Sequence, residues 1–315
     1  MQHCRAVISY EPMPSEPWNA KLQNVSIRDI DPDECLVEVV ASGICHTDLG
    51  IAARPGSIFP DQSIAFCGSC PSCSSGHPSY CYDAYKLNFA HPGCDAYAQD
   101  TSTPVVGGFF GQSSLGNLAV VKASCIVNLS GIVKSREELQ LFAPLGCGLA
   151  GVMAAKIIGC RRIIAVDRIP ERLVLATELG ATHTIHTGEL TTSLANAVRL
   201  ATDGIGSSLT IETTGALPII QEALDMTSIL GRVVPVGMSK EPLQTDMTKF
   251  KLAGKSLLGS MQGGVIPSKY ITQMIEWYRE GEFPIEELIR FYKPEDHVEV
   301  QDMKAGPTVK PIIHW

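Results

Sequence analysis

Four cysteines, Cys67, Cys70, Cys73 and Cys81, are spaced C-x2-C-x2-C-x7-C in a stretch rich in turn formers. Gly68, Pro71, Ser72, Ser74, Ser75 and Gly76 lie among them and permit the tight turns that bring neighbouring sulfurs to one point. Four thiolates converging from one short loop suit a closed tetrahedral zinc site. Disulfides, an iron–sulfur cluster and chance clustering are the competing readings of such a group. The ferredoxin run has a shorter last gap with Pro after it, whereas here Tyr82 follows Cys81 after a longer one. Zinc held by four sulfurs keeps no open position, so it fastens a loop and performs no chemistry.

The balance of the chain bounds its partners. Its 315 residues are 45% hydrophobic and 18% charged, with a net charge of −8. That acidity argues against nucleic acid and against an anionic membrane surface. No run is long and apolar enough to span a bilayer. Residues 1–10 lack the apolar segment of a secretory signal. Eleven cysteines in a chain of this kind read as metal ligands and buried thiols, and imply a reducing, cytoplasmic setting.

The elements that must position the cysteines change texture along the chain. Up to about residue 130, short β-rich runs (Arg5–Ser9, Leu22–Ile27, Cys35–Val40, Gly116–Val121) are broken by Pro, Gly, Ser and Asp, as in an irregular β domain. From there to about residue 285, strands and helices alternate. A helical run Gly151–Gly159 leads into the apolar strand Arg162–Asp167. The helix Pro170–Gly180 has Pro near its start and Gly at its end. A strand His183–His186, a helix Thr192–Ala201, a strand Ser208–Thr213, a helix Leu217–Met226 and a strand Arg232–Gly237 follow. Such alternation predicts a parallel sheet with helices on both faces. The terminal segment Thr308–Trp315 returns to strand character, suited to closing the N-terminal β domain.

Ala41–Asp48, Cys67–Cys81, Pro144–Gly148, Ile164–Asp167 and Ile211–Gly215, in that order, resemble the motifs of the zinc-containing medium-chain alcohol dehydrogenases, in the style of the fungal aryl- or benzyl-alcohol enzymes. The resemblance spans essentially the whole chain, with two internal gaps. It implies an α/β fold: a GroES-like β-barrel domain plus a Rossmann-type parallel α/β domain, each shortened by one block. The expected division is 1–132 for the GroES-like domain with its structural zinc loop, completed by 288–315, and 133–287 for the NAD-binding domain. It also implies zinc and NAD as cofactors, hydride transfer between an alcohol and its aldehyde or ketone, and a homodimer or homotetramer paired through an edge such as 251–260. A role in specialised metabolism is common among such relatives.

In that family a catalytic zinc binds the alcohol oxygen and lowers its pKa, which makes the alcoholate a hydride donor. The resemblance assigns Cys45 and Cys147 as two of its ligands and Thr47 as the hydroxyl that passes the proton outward. It places His46 near the cofactor pyrophosphate and Asp48 as the carboxylate that orients a ligand histidine. The family's histidine ligand lies in a Gly-His-Glu motif that this chain does not contain; residues 54–62 run almost directly into Cys67. His77 and His91 lie beyond that gap; one of them substituting as the ligand is the alternative to reading both as surface or loop histidines.

The second gap fuses the Cys147 turn to the following helix. The fusion reads Gly146-Cys-Gly148-Leu-Ala-Gly151, a formal G-x-G-x-x-G with Asp167 about 20 residues on. Such a fingerprint must follow a strand, but Glu138–Leu145 reads as helix. Asp167, at the end of an apolar strand, is suited to the ribose hydroxyls and repels a 2′-phosphate; Arg168 and Arg172 temper that preference for NAD. The alternative is a family member, or the product of a gene model that skips two segments, whose catalysis is impaired and which retains only the structural zinc.

Overall fold

A computed structural model describes residues 2–10, 13, 19–46, 48, 65–88, 94–99, 103–107, 114–143, 149–239, 241–306 and 308–315. The chain divides into two compact units, Met1–Cys147 with Gly264–Trp315, and Gly148–Gly263.

The strands of the first unit are β1 (Gln2–Ser9), β2 (Ala20–Ile27), β3 (Glu34–Glu38), β4 (Ala41–Gly43), β5 (Cys94–Ala98), β6 (Pro104–Val106) and β7 (Leu118–Lys122), joined late in the chain by β13 (Ile289–Tyr292) and β14 (Lys310–His314). Strands β1, β2, β5 and β6 form an antiparallel sheet in that order. Strand β3 pairs β7, and β14 joins parallel β13 to antiparallel β4. The two-residue alternation of β1 lets it serve two cores. Cys4, Ala6 and Ile8 pack with Val25, Ile27, Ala96 and Val105, while Val7 packs with Ala20, Ile44, Leu115 and Ile313.

The described segments 133–143 and 264–287, expected from sequence with the second domain, lie in the first unit. The long helix Pro267–Arg279 holds them there. Arg279 donates to Glu138 and to the carbonyl of Ile132, and Tyr278 meets Phe142 edge to face. These are contacts between residues more than a hundred positions apart, invisible to a composition boundary.

In the second unit β8 (Ile164–Asp167) pairs in parallel with β9 (His183–His186), across the helix Pro170–Glu178. Strand β10 (Ser207–Glu212) pairs in parallel with β11 (Thr227–Pro235), and β11 with β12 (Ser256–Leu257). The strands and helices fall where the alternation predicts, with one exception. Strand β11 begins at Thr227 rather than Arg232, and its register slips between Ser207 and Leu209 of β10. Leu230 lies at φ 59 in the slipped segment, a left-handed backbone that a Leu adopts only at a cost.

The predicted single sheet is divided. Its order is β8–β9 in one sheet and β10–β11–β12 in another. The described element upstream of helix Ala150–Ile157 is a helix, Arg136–Leu141, as expected, and supplies no strand to join the two sheets. A common core still spans them: Ile164 of β8 and Ile185 of β9 pack on Leu194, Val198, Ala223 and Val233.

Candidate functional site

The cysteine loop gathers its sulfurs as its spacing predicts. Cys70 caps the single-turn helix Pro71–Ser74, its sulfur accepting from the amide of Cys73 at 3.5 Å. Gly68 and Gly76 turn the chain at φ 75 and 89 on either side. The Sγ atoms of Cys67, Cys70, Cys73 and Cys81 lie within 4.8 Å of one another, and Cys70 and Cys81 are 4.0 Å apart. A tetrahedron of sulfurs each about 2.3 Å from zinc has edges of about 3.8 Å. All four are free thiols, so the disulfide alternative does not hold in this structure.

Backbone amides aim at the sulfurs. Cys70 N–H donates to Cys67, Cys67 N–H to Cys81, and Tyr82 N–H to Cys70, at 3.3, 3.3 and 3.5 Å. The amides of Cys73 and Tyr82 pull the Cys70 thiol down to about 6, and those of Ser69 and Cys70 lower Cys67. Burial pushes Cys73 up to about 12, helped by its hydrogen bond to Cys70, and burial also raises Cys81. A donor set poised between thiolate and thiol is one that a divalent cation completes. The quartet fits zinc.

Asn88 closes the lobe. Its side chain is fully buried; it accepts from the amide of Ala65 at 2.7 Å and donates to the carbonyls of Ala65 and Ala84 at 2.9 and 2.8 Å. The two ends of the zinc loop are thereby tied by one amide group. His77 is exposed and stands outside the sulfur group, and His91 lies outside the described residues.

Around Cys45 the picture is partial. Thr47, Gly146, Cys147 and Gly148 lie outside the described residues. Asp48 is 2% exposed and accepts from the amide of Cys45 at 2.5 Å, fixing the turn that carries the thiol. Lys310 of β14, 4% exposed, extends along Gly43, where an added Cβ would meet its Cε at 3.1 Å. Burial pushes the Cys45 thiol up and the Asp48 carboxylate adds to this, while the Lys310 ammonium opposes it. His46 is exposed. Among the described residues no second and third metal ligand gather at Cys45. Lys310 escapes a sequence reading because its partners lie at the other end of the chain.

At the carboxyl end of β8, Asp167 is fixed from below. Its Oδ1 accepts from the amides of Arg168 and Ile169 at 2.7 and 3.0 Å, and its Oδ2 lies 4.0 Å from Arg172. Hydroxyl donors of a ribose suit that carboxylate. Gly151 sits in the first turn of helix Ala150–Ile157, where an added Cβ would approach only Ile211, at 3.9 Å.

A family model described as zinc-binding dehydrogenase matches residues 146–280. The geraniol dehydrogenase of Castellaniella defragrans is 26% identical, over 89% of this chain and 90% of its own. That alignment has 340 positions for about 280 residues of this chain, so about 60 positions stand opposite gaps in it. A crystal structure of an alcohol dehydrogenase zinc-binding domain protein from Burkholderia ambifaria superposes with a TM-score of 0.87 at 26% identity, covering 99% of both chains. That of benzyl alcohol dehydrogenase from Acinetobacter calcoaceticus gives 0.84 at 28% identity, covering 100% of this chain and 99% of that one. These structures share the GroES-like plus Rossmann arrangement, which is the fold of this chain. The chain is an alcohol dehydrogenase-like oxidoreductase: its residues 146–280 match the zinc-binding dehydrogenase family, and it is similar over its length to zinc-binding alcohol dehydrogenases.

Proposed function

We propose that the chain interconverts a small or aryl primary alcohol and its aldehyde, with NAD as the hydride carrier. The observation that carries this reading is Asp167, fixed by two backbone amides at the carboxyl end of β8. A carboxylate there accepts from both ribose hydroxyls and repels a 2′-phosphate, which favours NAD. The substrate class is supported by the relatives named for geraniol and benzyl alcohol. Both are primary alcohols whose carbinol carbon adjoins a π system, which eases hydride loss.

The chain's own residues then divide the work. The four-cysteine loop takes a structural zinc and sets the shape of its lobe. Asp48 holds the turn bearing Cys45, with His46 and Thr47 beside it. Cys45 and Cys147 are the residues that would hold a second zinc, whose chemistry is to polarise the alcohol oxygen. Gly146, Gly148 and Gly151 would face the pyrophosphate, with Arg172 near the ribose. A cytoplasmic homodimer or homotetramer paired through 251–260, serving specialised metabolism, completes the reading.

A second reading is favoured by the divided sheet. A member with no joining strand among its described residues retains the structural zinc but binds dinucleotide weakly and turns over slowly or not at all. Zinc analysis together with NADH formation from benzyl alcohol and geraniol separates the two. Two zinc per chain with NAD-linked turnover supports the enzyme; one zinc and no turnover supports the impaired member.

A further inference from the structure

We propose that Glu212 is a positioning residue for the dinucleotide. Its buried carboxylate latches the loops leaving β10 and β11, so that their backbone forms one preset wall for the part of the cofactor away from Asp167. The proposal rests on the dinucleotide reading above.

Glu212 is the last residue of β10 and is 3% exposed. Its Oε1 accepts from the Thr214 amide at 2.6 Å and from the Thr214 hydroxyl. The Gly215 amide is shared between Oε1 at 3.2 Å and Oε2 at 3.1 Å. The main-chain carbonyl of the same residue accepts from Val236 and Gly237 at 2.7 and 3.2 Å. One residue thus holds the loop after its own strand by side chain and the loop after the next strand by main chain.

The two loops touch backbone to backbone. Gly215 has φ 69, and a Cβ there would lie 2.3 Å from the Met238 carbonyl oxygen; one on Gly237 would lie 2.2 Å from the Gly215 nitrogen. Only glycine fits either position. Above the latch, Thr213, Thr214, Ala216, Val236 and Met238 are exposed. The carboxylate is therefore beneath the loops and the free surface is on their outer side.

This is a place where ligands are expected. Open α/β sheets receive them outside the carboxyl ends of their strands. Asp167 ends β8 and Glu212 ends β10, in the same unit. Burying a carboxylate to brace a surface turn is a costly choice unless every acceptor is used, and here several donors converge on it. What that arrangement secures is a fixed loop backbone, and small errors in such a wall are enough to weaken a bound cofactor.

The test uses the full zinc-loaded chain. Glu212→Gln keeps the shape but turns one acceptor into a donor facing Gly215; Thr214→Val removes only the hydroxyl. NADH binding is followed by calorimetry, alongside thermal melting without NADH, amide exchange at 214, 215, 236 and 237, and the KM and kcat for NAD. The expected result is a rise of about tenfold or more in the NADH dissociation constant for Glu212→Gln, the loss of one charge-assisted bond. Thr214→Val should show a smaller rise, and both should show faster exchange at those amides and a KM effect exceeding the kcat effect. Equal NADH affinity in wild type and variants overturns the latch and leaves the dinucleotide reading standing. A wild type that does not bind NADH overturns both. If Glu212→Gln does not fold, Thr214→Val decides alone by the same readouts.

Discussion

Glu34 shows how much of the residue-level chemistry is paired off inside the fold. Burial alone would raise its carboxyl; the bidentate Arg28 pair at 2.8 and 2.9 Å, the Asp31 amide and Lys122 more than offset this and hold it at about 2. The acidic group Asp31, Asp33 and Glu34 is thus answered by Arg28 and Lys122. A carboxyl lowered in the fold stabilises it above its ordinary pKa, and that contribution is lost as pH falls toward the folded value. Urea unfolding between pH 7 and pH 2 should therefore show wild type losing about 3 kcal/mol more than Glu34→Gln below pH 4.5. Parallel pH curves for the two proteins would contradict the assignment. At this scale the sequence was partly legible. The cysteine quartet is local and its spacing carries its geometry. Asn88, Lys310 and Glu212 look ordinary, because burial and partners distant in sequence give them their roles.

Among the elements, the zinc lobe spans 65–88. Two bonds between Asn88 and Ala65 join its ends, and a third ties Asn88 to Ala84. Asn88→Ala should cost about 1–3 kcal/mol, the price of leaving buried backbone groups unmet. The check is the rate of zinc loss to a chelator, which should rise well before the rest of the chain melts; an unchanged rate would show that the sulfurs alone hold the lobe. Strands and helices of the second unit were legible because period and end signals are local. The start of β11 was not: the sequence reading begins the strand at Arg232, whereas its irregular pairing with β10 reaches back to Thr227 through a left-handed Leu230.

Across the whole molecule, the fold class follows from ordered motifs, but the division of the sheet does not follow from periodicity. Strand–helix alternation predicts parallel pairing without saying which strands are neighbours. That is decided by a joining strand, and the described residues between Arg136 and Ala150 provide a helix in its place. The unit boundaries follow the same logic: Arg279 and Tyr278 bind their helix to 132–142, so this helix stays with the first unit. Every role assigned here depends on four cysteines clamping zinc in this alcohol dehydrogenase-like chain. Elemental analysis of the purified chain, paired with thermal melting with and without chelator for wild type and Cys70→Ser, is the decisive measurement. The expected result is at least one zinc per wild-type chain, a lower melting temperature on chelation, and both metal and chelator response lost in Cys70→Ser. Zinc-free wild type, or sulfurs oxidised to disulfides with a melt indifferent to chelator, would contradict it.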